Sequence, residues 1–146
     1  MSGRRTIPAI AAVAVTTALS AGPASAFGSK HEGLADAFAA VKDAYLVVMQ
    51  GNRSQSKAGH RNWCMSVSYG ACHGEMRRLA WLVTHKQEMT LADRCYIASN
   101  IKVVREKYSS GRRGSWSGHN GWCKSNPGRA NAFLSEEVSW LYNTFD

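Results

Sequence analysis

Apolar residues recur along this chain with the period of a helix. Leu34, Phe38, Val41, Tyr45 and Val48 fall at i, i+4, i+7, i+11 and i+14, one stripe of an amphipathic helix. Gly51 stops that stripe, and residues 52–59 are polar and basic, which predicts a loop. Met76, Leu79, Ala80 and Val83 mark a second helix from about residue 71 to about residue 85. Thr90 is placed to cap a third, with Asp93 near its positive end and Ile97, Ile101, Val104 and Tyr108 along its face. The glycine-rich stretch 109–122 reads as a second loop. Asn126-Pro127 then opens a fourth helix whose apolar face is Leu134, Val138, Leu141 and Phe145. No segment alternates with the period of a strand.

The two halves of the pattern correspond. Gly59-His60-Arg61-Asn62-Trp63-Cys64 returns as Gly118-His119-Asn120-Gly121-Trp122-Cys123, so both read G-H-x-x-W-C. A Trp-Leu pair lies 18 residues beyond each motif tryptophan, at Trp81-Leu82 and Trp140-Leu141. Leu-Ala-Asp opens the helical pattern ahead of each motif, at 34–36 and 91–93. This reads as an internal duplication, with pseudo-repeats of about 27–86 and 87–146. One helical hairpin has nothing against which to bury its apolar face. The expected architecture is therefore all-α, two duplicated hairpins packed as a small four-helix domain, with Trp81 and Trp140 in its core. At the repeat offset Arg77 and Arg78 align with Glu136 and Glu137, which predicts either solvated helix faces or pairs across a pseudo-axis.

The N-terminus changes the compartment. Arg4 and Arg5 precede a mildly apolar run from Ile7 to Leu19, and Ala24-Ser25-Ala26 follows as a small-residue cleavage site. Residues 1–26 thus read as a cleavable secretory signal, leaving one domain at 27–146 that is secreted or periplasmic. The paired arginines also fit a twin-arginine signal. No later apolar run is long enough to span a bilayer. Cysteines in an exported chain form disulfides by default, and all four lie after the signal. Of the three pairings, Cys64–Cys72 with Cys95–Cys123 keeps each bridge inside one repeat.

Charge then narrows the partners. The whole chain carries a formal +8, and the part after residue 26 has 16 basic and 10 acidic residues. Such a balance favours anionic partners, although it also serves solubility. Basic groups interleave with indoles around both motifs, with Arg61 and Trp63 at the first, and Arg112, Arg113, Trp116, His119 and Trp122 at the second. This composition suits an anionic polymer, a glycan stacked on aromatic faces, or an envelope protein partner. Nucleic acid fits the charge, but no motif supports it. The competing reading makes Trp63 and Trp122 buried plugs beside the disulfides.

Catalysis has a thinner basis. P-loop, dinucleotide-binding, H-E-x-x-H and G-x-S-x-G patterns are all absent. His73-Gly74-Glu75 lacks the P-C-x-x-C that a zinc deaminase needs. His60, Cys64, His119 and Cys123 have workable zinc-ligand spacing, but an oxidising compartment favours disulfides, so no metal or other cofactor is expected. The alternative to a binding protein is a small secreted hydrolase using His60 and His119 as acid and base with Glu75 as their carboxylate.

Overall fold

The computed structural model describes residues 29–51, 57–85 and 88–146. The expected signal at 1–26 lies outside them. Six α-helices and one 3-10 turn make up the described part, with no strand among these residues. They are α1 (Lys30–Gln50), α2 (Lys57–Ser66), α3 (Tyr69–His85), α4 (Leu91–Ser110), α5 (Trp116–Ser125) and α6 (Ala130–Phe145), the turn Pro127–Arg129 preceding α6.

The long helices start and stop for local reasons. The Ser29 hydroxyl accepts from the Glu32 N–H at 3.0 Å and caps α1. Thr90 and Asp93 form a reciprocal capping box on α4, as expected of a threonine followed three residues later by an acid. Gly51 and Gly111 end α1 and α4 in the left-handed region, at φ 67° and 79°, where a side chain would strain the backbone.

The two stretches expected to be loops contain helices. α2 and α5 are each ten residues long and begin 59 residues apart, with a G-H-x-x-W-C motif inside each. Ten residues make a marginal helix in water, and the one glycine of α2 and two of α5 weaken it further. Each, however, buries one cysteine that is tied to a long helix. Cys64 of α2 bonds Cys72 of α3, and Cys123 of α5 bonds Cys95 of α4. Ser115 also caps α5 by accepting from the Gly118 N–H. These anchors outweigh the glycines. The tally is therefore six helices among the described residues rather than four, and His60 and His119 lie on helices rather than in loops.

The core is built from the predicted stripes. Leu34, Phe38 and Val41 of α1 and Ile97, Ile101 and Val104 of α4 are buried. Met76, Leu79 and Val83 of α3 and Leu134, Val138, Leu141 and Phe145 of α6 are buried with them in one cluster. α1 packs on α2, α3 and α4, while α4 also holds α5 and α6. Gly33 admits the Tyr108 ring where any Cβ would collide with it.

Of three expectations about these helices, one fails and two hold in part. Trp81 is 54% exposed, stacked only on His85 at a centroid distance of 4.0 Å, so it is no core residue. Trp140 is half-buried, with Tyr108 and Phe145 edge-on to it. The arginines of α3 do not pair with the glutamates of α6. Arg77 binds Asp146, Arg78 binds Glu75, and Glu137 is fully buried against Arg105 of α4 at 3.0 Å. No described helix is long and apolar enough to cross a membrane.

Candidate functional site

A cleft of about 200 Å³ opens where α1, α2 and α4 meet. Its floor is small: Ala39 and Ala40 come from α1, and Ala58 from α2. Its walls are basic, with Lys57 and Arg61 from α2, Lys107 from α4 and Arg113 from the α4–α5 connection. Asp36 is the one carboxylate among the lining residues. It accepts from Arg61 Nε at 2.7 Å and lies 3.9 Å from Lys107 Nζ. Arg61 also reaches Glu32 at 3.7 Å.

Lys57 is half-buried at this cleft. Its ammonium donates to Asn100 Oδ1 at 2.9 Å. Burial pushes its pKa down, the nearby Asp43 opposes that shift, and Arg113 adds to it. An incoming anion would add its attraction to that of Asp43 and so oppose the effect of burial.

A second, wider depression of about 410 Å³ lies alongside, lined by Glu106, Arg112, Arg113, His119 and small polar residues. Arg113 lines both depressions. His119 Nε2 and Glu106 Oε1 are 2.7 Å apart on the wall. A Cβ at Gly114 would overlap the Glu106 carboxylate as it stands, so a side chain there would have to displace it from the wall. Arg112 and Arg113 make no ion pair among the described residues.

The other anticipated residues are dispersed. Trp63 and Trp122 are 42% and 47% exposed, so they are not buried plugs. Each leans on a core phenylalanine, Phe38 at 5.1 Å and Phe133 at 5.8 Å, and neither lines a depression. Trp116 packs edge-on to Tyr96 at 5.5 Å, with its indole N–H unbonded. His60 is half-buried and its Nε2 has no hydrogen-bond partner among the described residues. Burial pushes its pKa down, with Lys42 reinforcing and Asp43 opposing.

Glu75, the carboxylate anticipated for the histidines, is held bidentately by Arg78 at 2.9 and 2.7 Å. That hydrogen bond pulls its pKa below the usual carboxylate value. It bonds neither His60 nor His119 among the described residues. Cys64 and Cys123, the thiolates of the zinc-like spacing, are both spent in disulfides. Sequence reasoning missed Asp36, Asn100, Glu106 and Lys107, because each lies on a long helix whose polar face gives no sign of what packs over it. No protein-family model matches the chain, and neither do any curated protein or solved structure at a significant level.

Proposed function

We propose that this chain is an exported, disulfide-braced helical binding protein that takes an anionic component of the cell envelope in the cleft between α1, α2 and α4. One observation carries the reading: Lys57, Arg61, Lys107 and Arg113 converge on a single cleft against one lining carboxylate. Four cations from three parts of the fold are costly to bring together unless a counter-charge rewards it. Export is supported by the signal pattern at 1–26 and by two disulfides. The duplication is supported by the repeated motifs and by the matching lengths of α2 and α5.

A glycan reading needs an aromatic face inside a depression; Tyr45, Trp81 and His85 line one of about 270 Å³, but none of the converging cations is there, and Trp63 and Trp122 stand outside it and both basic depressions. A hydrolase built on His60, His119 and Glu75 has less support still, since Glu75 is engaged by Arg78 and His119 by Glu106. The test is equilibrium binding of the purified protein to an immobilised polyanion and to a neutral dextran across a salt series. Affinity for the polyanion should fall steeply with salt. Lys107→Glu and Arg113→Glu should each weaken it by roughly tenfold or more, with helicity by circular dichroism unchanged. Salt-insensitive binding, or charge reversals without effect, would reject the cleft as the site.

A further inference from the structure

We propose that the cleft and the neighbouring depression are successive subsites for one linear polymer of phosphate groups without bases, running past Arg113. This rests on the anion-binding reading above and specifies its ligand. Arg113 lines both depressions, so the two adjoin at its side chain. Each brings its own cations: Lys57, Arg61 and Lys107 on one side, Arg112 on the other. The cleft, at about 200 Å³, is smaller than the roughly 300–1,000 Å³ that encloses a drug-sized molecule. It fits one compact charged unit, with the rest of the ligand passing outward into the open depression.

The lining argues for phosphate and against bases or sugars. Guanidinium groups match the oxygens of phosphate in a planar fork, and Arg112 and Arg113 have no competing ion pair among the described residues. The acid in the second depression, Glu106, is hydrogen-bonded to His119 at 2.7 Å, so one of its oxygens is already engaged on the wall. No Trp, Tyr or Phe lines either depression, and the one ring there, the His119 imidazole, is engaged by Glu106, although the chain has exposed tryptophans elsewhere. Single-stranded nucleic acid is gripped by stacking its bases on aromatic platforms beside a basic groove. Here there is charge without a platform. The chemistry fits inorganic polyphosphate or a polyol-phosphate polymer.

The experiment is calorimetric titration of the full chain, at fixed low ionic strength, with orthophosphate, tripolyphosphate, long-chain polyphosphate, poly(glycerol phosphate) and a base-bearing control, single-stranded DNA. The expected result is an affinity that rises about 100-fold or more between orthophosphate and a chain long enough to occupy both subsites. Tighter binding of one phosphate polymer than the other identifies the source. Arg112→Gln, an exposed change checked for folding by circular dichroism, should weaken long-chain binding at least fivefold more than orthophosphate binding. If long chains bind no more tightly than orthophosphate, or Arg112→Gln affects both equally, the two-subsite track is overturned while the anion cleft stands. If single-stranded DNA binds as tightly as polyphosphate, the base-free assignment is overturned. If no phosphate species binds, the track and the anion-binding reading fall together.

Discussion

Glu137 provides the sharpest test of how the long helices are held together. It is 0% exposed, receives Arg105 at 3.0 Å and lies 3.9 Å from Lys102, while its second carboxylate oxygen has no partner among the described residues. The side chains of Arg105 and Lys102 keep about a third of their surface in water, so the two ends of this pair are unequal. Arg105→Met strands a buried carboxylate. Removing one partner of a buried pair costs roughly 3–5 kcal/mol, but Lys102 remains and the acid can protonate, so about 2–3 kcal/mol is expected. Glu137→Met leaves two cations that are able to rehydrate and an apolar side chain of similar volume, which should cost no more than about 1 kcal/mol. The double variant should resemble Glu137→Met, giving a coupling of about 2 kcal/mol. Acid adds a second signature. Burial raises the Glu137 pKa above the ordinary carboxylate value and Arg105 pulls it back, so removing Arg105 raises it further. A raised acid favours folding below its unfolded value of about 4.5 and loses that contribution as pH climbs through its folded value. The Arg105→Met deficit should therefore be largest at neutral pH and shrink on acidification. Urea denaturation followed by circular dichroism, with disulfides intact, measures all of this provided the m-values agree. A deficit under about 1 kcal/mol for Arg105→Met, a larger loss for Glu137→Met, or a deficit that widens in acid would refute the reasoning.

Four further outcomes are expected. Cys95→Ser/Cys123→Ser should cost about 1 kcal/mol more than Cys64→Ser/Cys72→Ser, because closing loops of 28 and 8 residues is worth about 3.6 and about 2.6 kcal/mol on chain entropy; the reverse order in urea would contradict it. Trp140→Ala should cost about 2–3 kcal/mol and Trp81→Ala no more than about 1, since only Trp140 has two aromatic neighbours; comparable losses would restore Trp81 to the core. Burial lowers the His60 pKa, so the unfolded chain binds its proton first as pH falls below the ordinary histidine value of about 6.5, and stability drops there; His60→Gln should flatten that part of a stability-against-pH curve, and an unchanged slope would exclude His60 as its source. Asp36→Asn should lower the melting temperature slightly while raising affinity for an anionic polymer severalfold, because the carboxylate competes for Arg61 and Lys107; a fall in both would make Asp36 part of the binding surface instead.

What could be read from the sequence depended on how local the cause was. The apolar stripes, the Thr90–Asp93 capping box and the glycine stops are settled within a few residues, and the helices follow them. α2 and α5 were hidden because glycine density argues locally for a loop, whereas the stabilising cause is a cysteine partner on another helix. Glu137 was misjudged for the same reason. The Arg78–Glu75 contact lies three residues along one helix and is visible in the chain, but Arg105 approaches Glu137 from a different element. The site divides likewise. Arg61, Arg112 and Arg113 stand out as basic residues beside the motifs. Asp36 and Lys107 complete the cleft only because α1 and α4 cross there.

The location of the cleft follows from a difference between the two halves. Cys64 and Cys123 hold the same place in the repeated motif, yet their bonds run to different helices, α3 and α4. Position 36, which lies 59 residues before Cys95, is aspartate, and position 57, 59 residues before Trp116, is lysine. The α4–α5 junction is thus closed by a covalent bond, with the Trp116 ring laid against Tyr96 beside it. At the corresponding α1–α2 junction, Asp36 holds Arg61 by a hydrogen bond and Lys57 lines an opening floored with alanine. A disulfide cannot be displaced by a ligand, but an ion pair can, because an arriving anion replaces the carboxylate's attraction for the same guanidinium. An exchangeable contact and an open space therefore coincide at the α1–α2 junction, where the Asp36–Arg61 pair borders the cleft. That coincidence supports the proposal that the α1–α2–α4 cleft is the inner anion subsite, with the depression beside α5 as its outward continuation past Arg113.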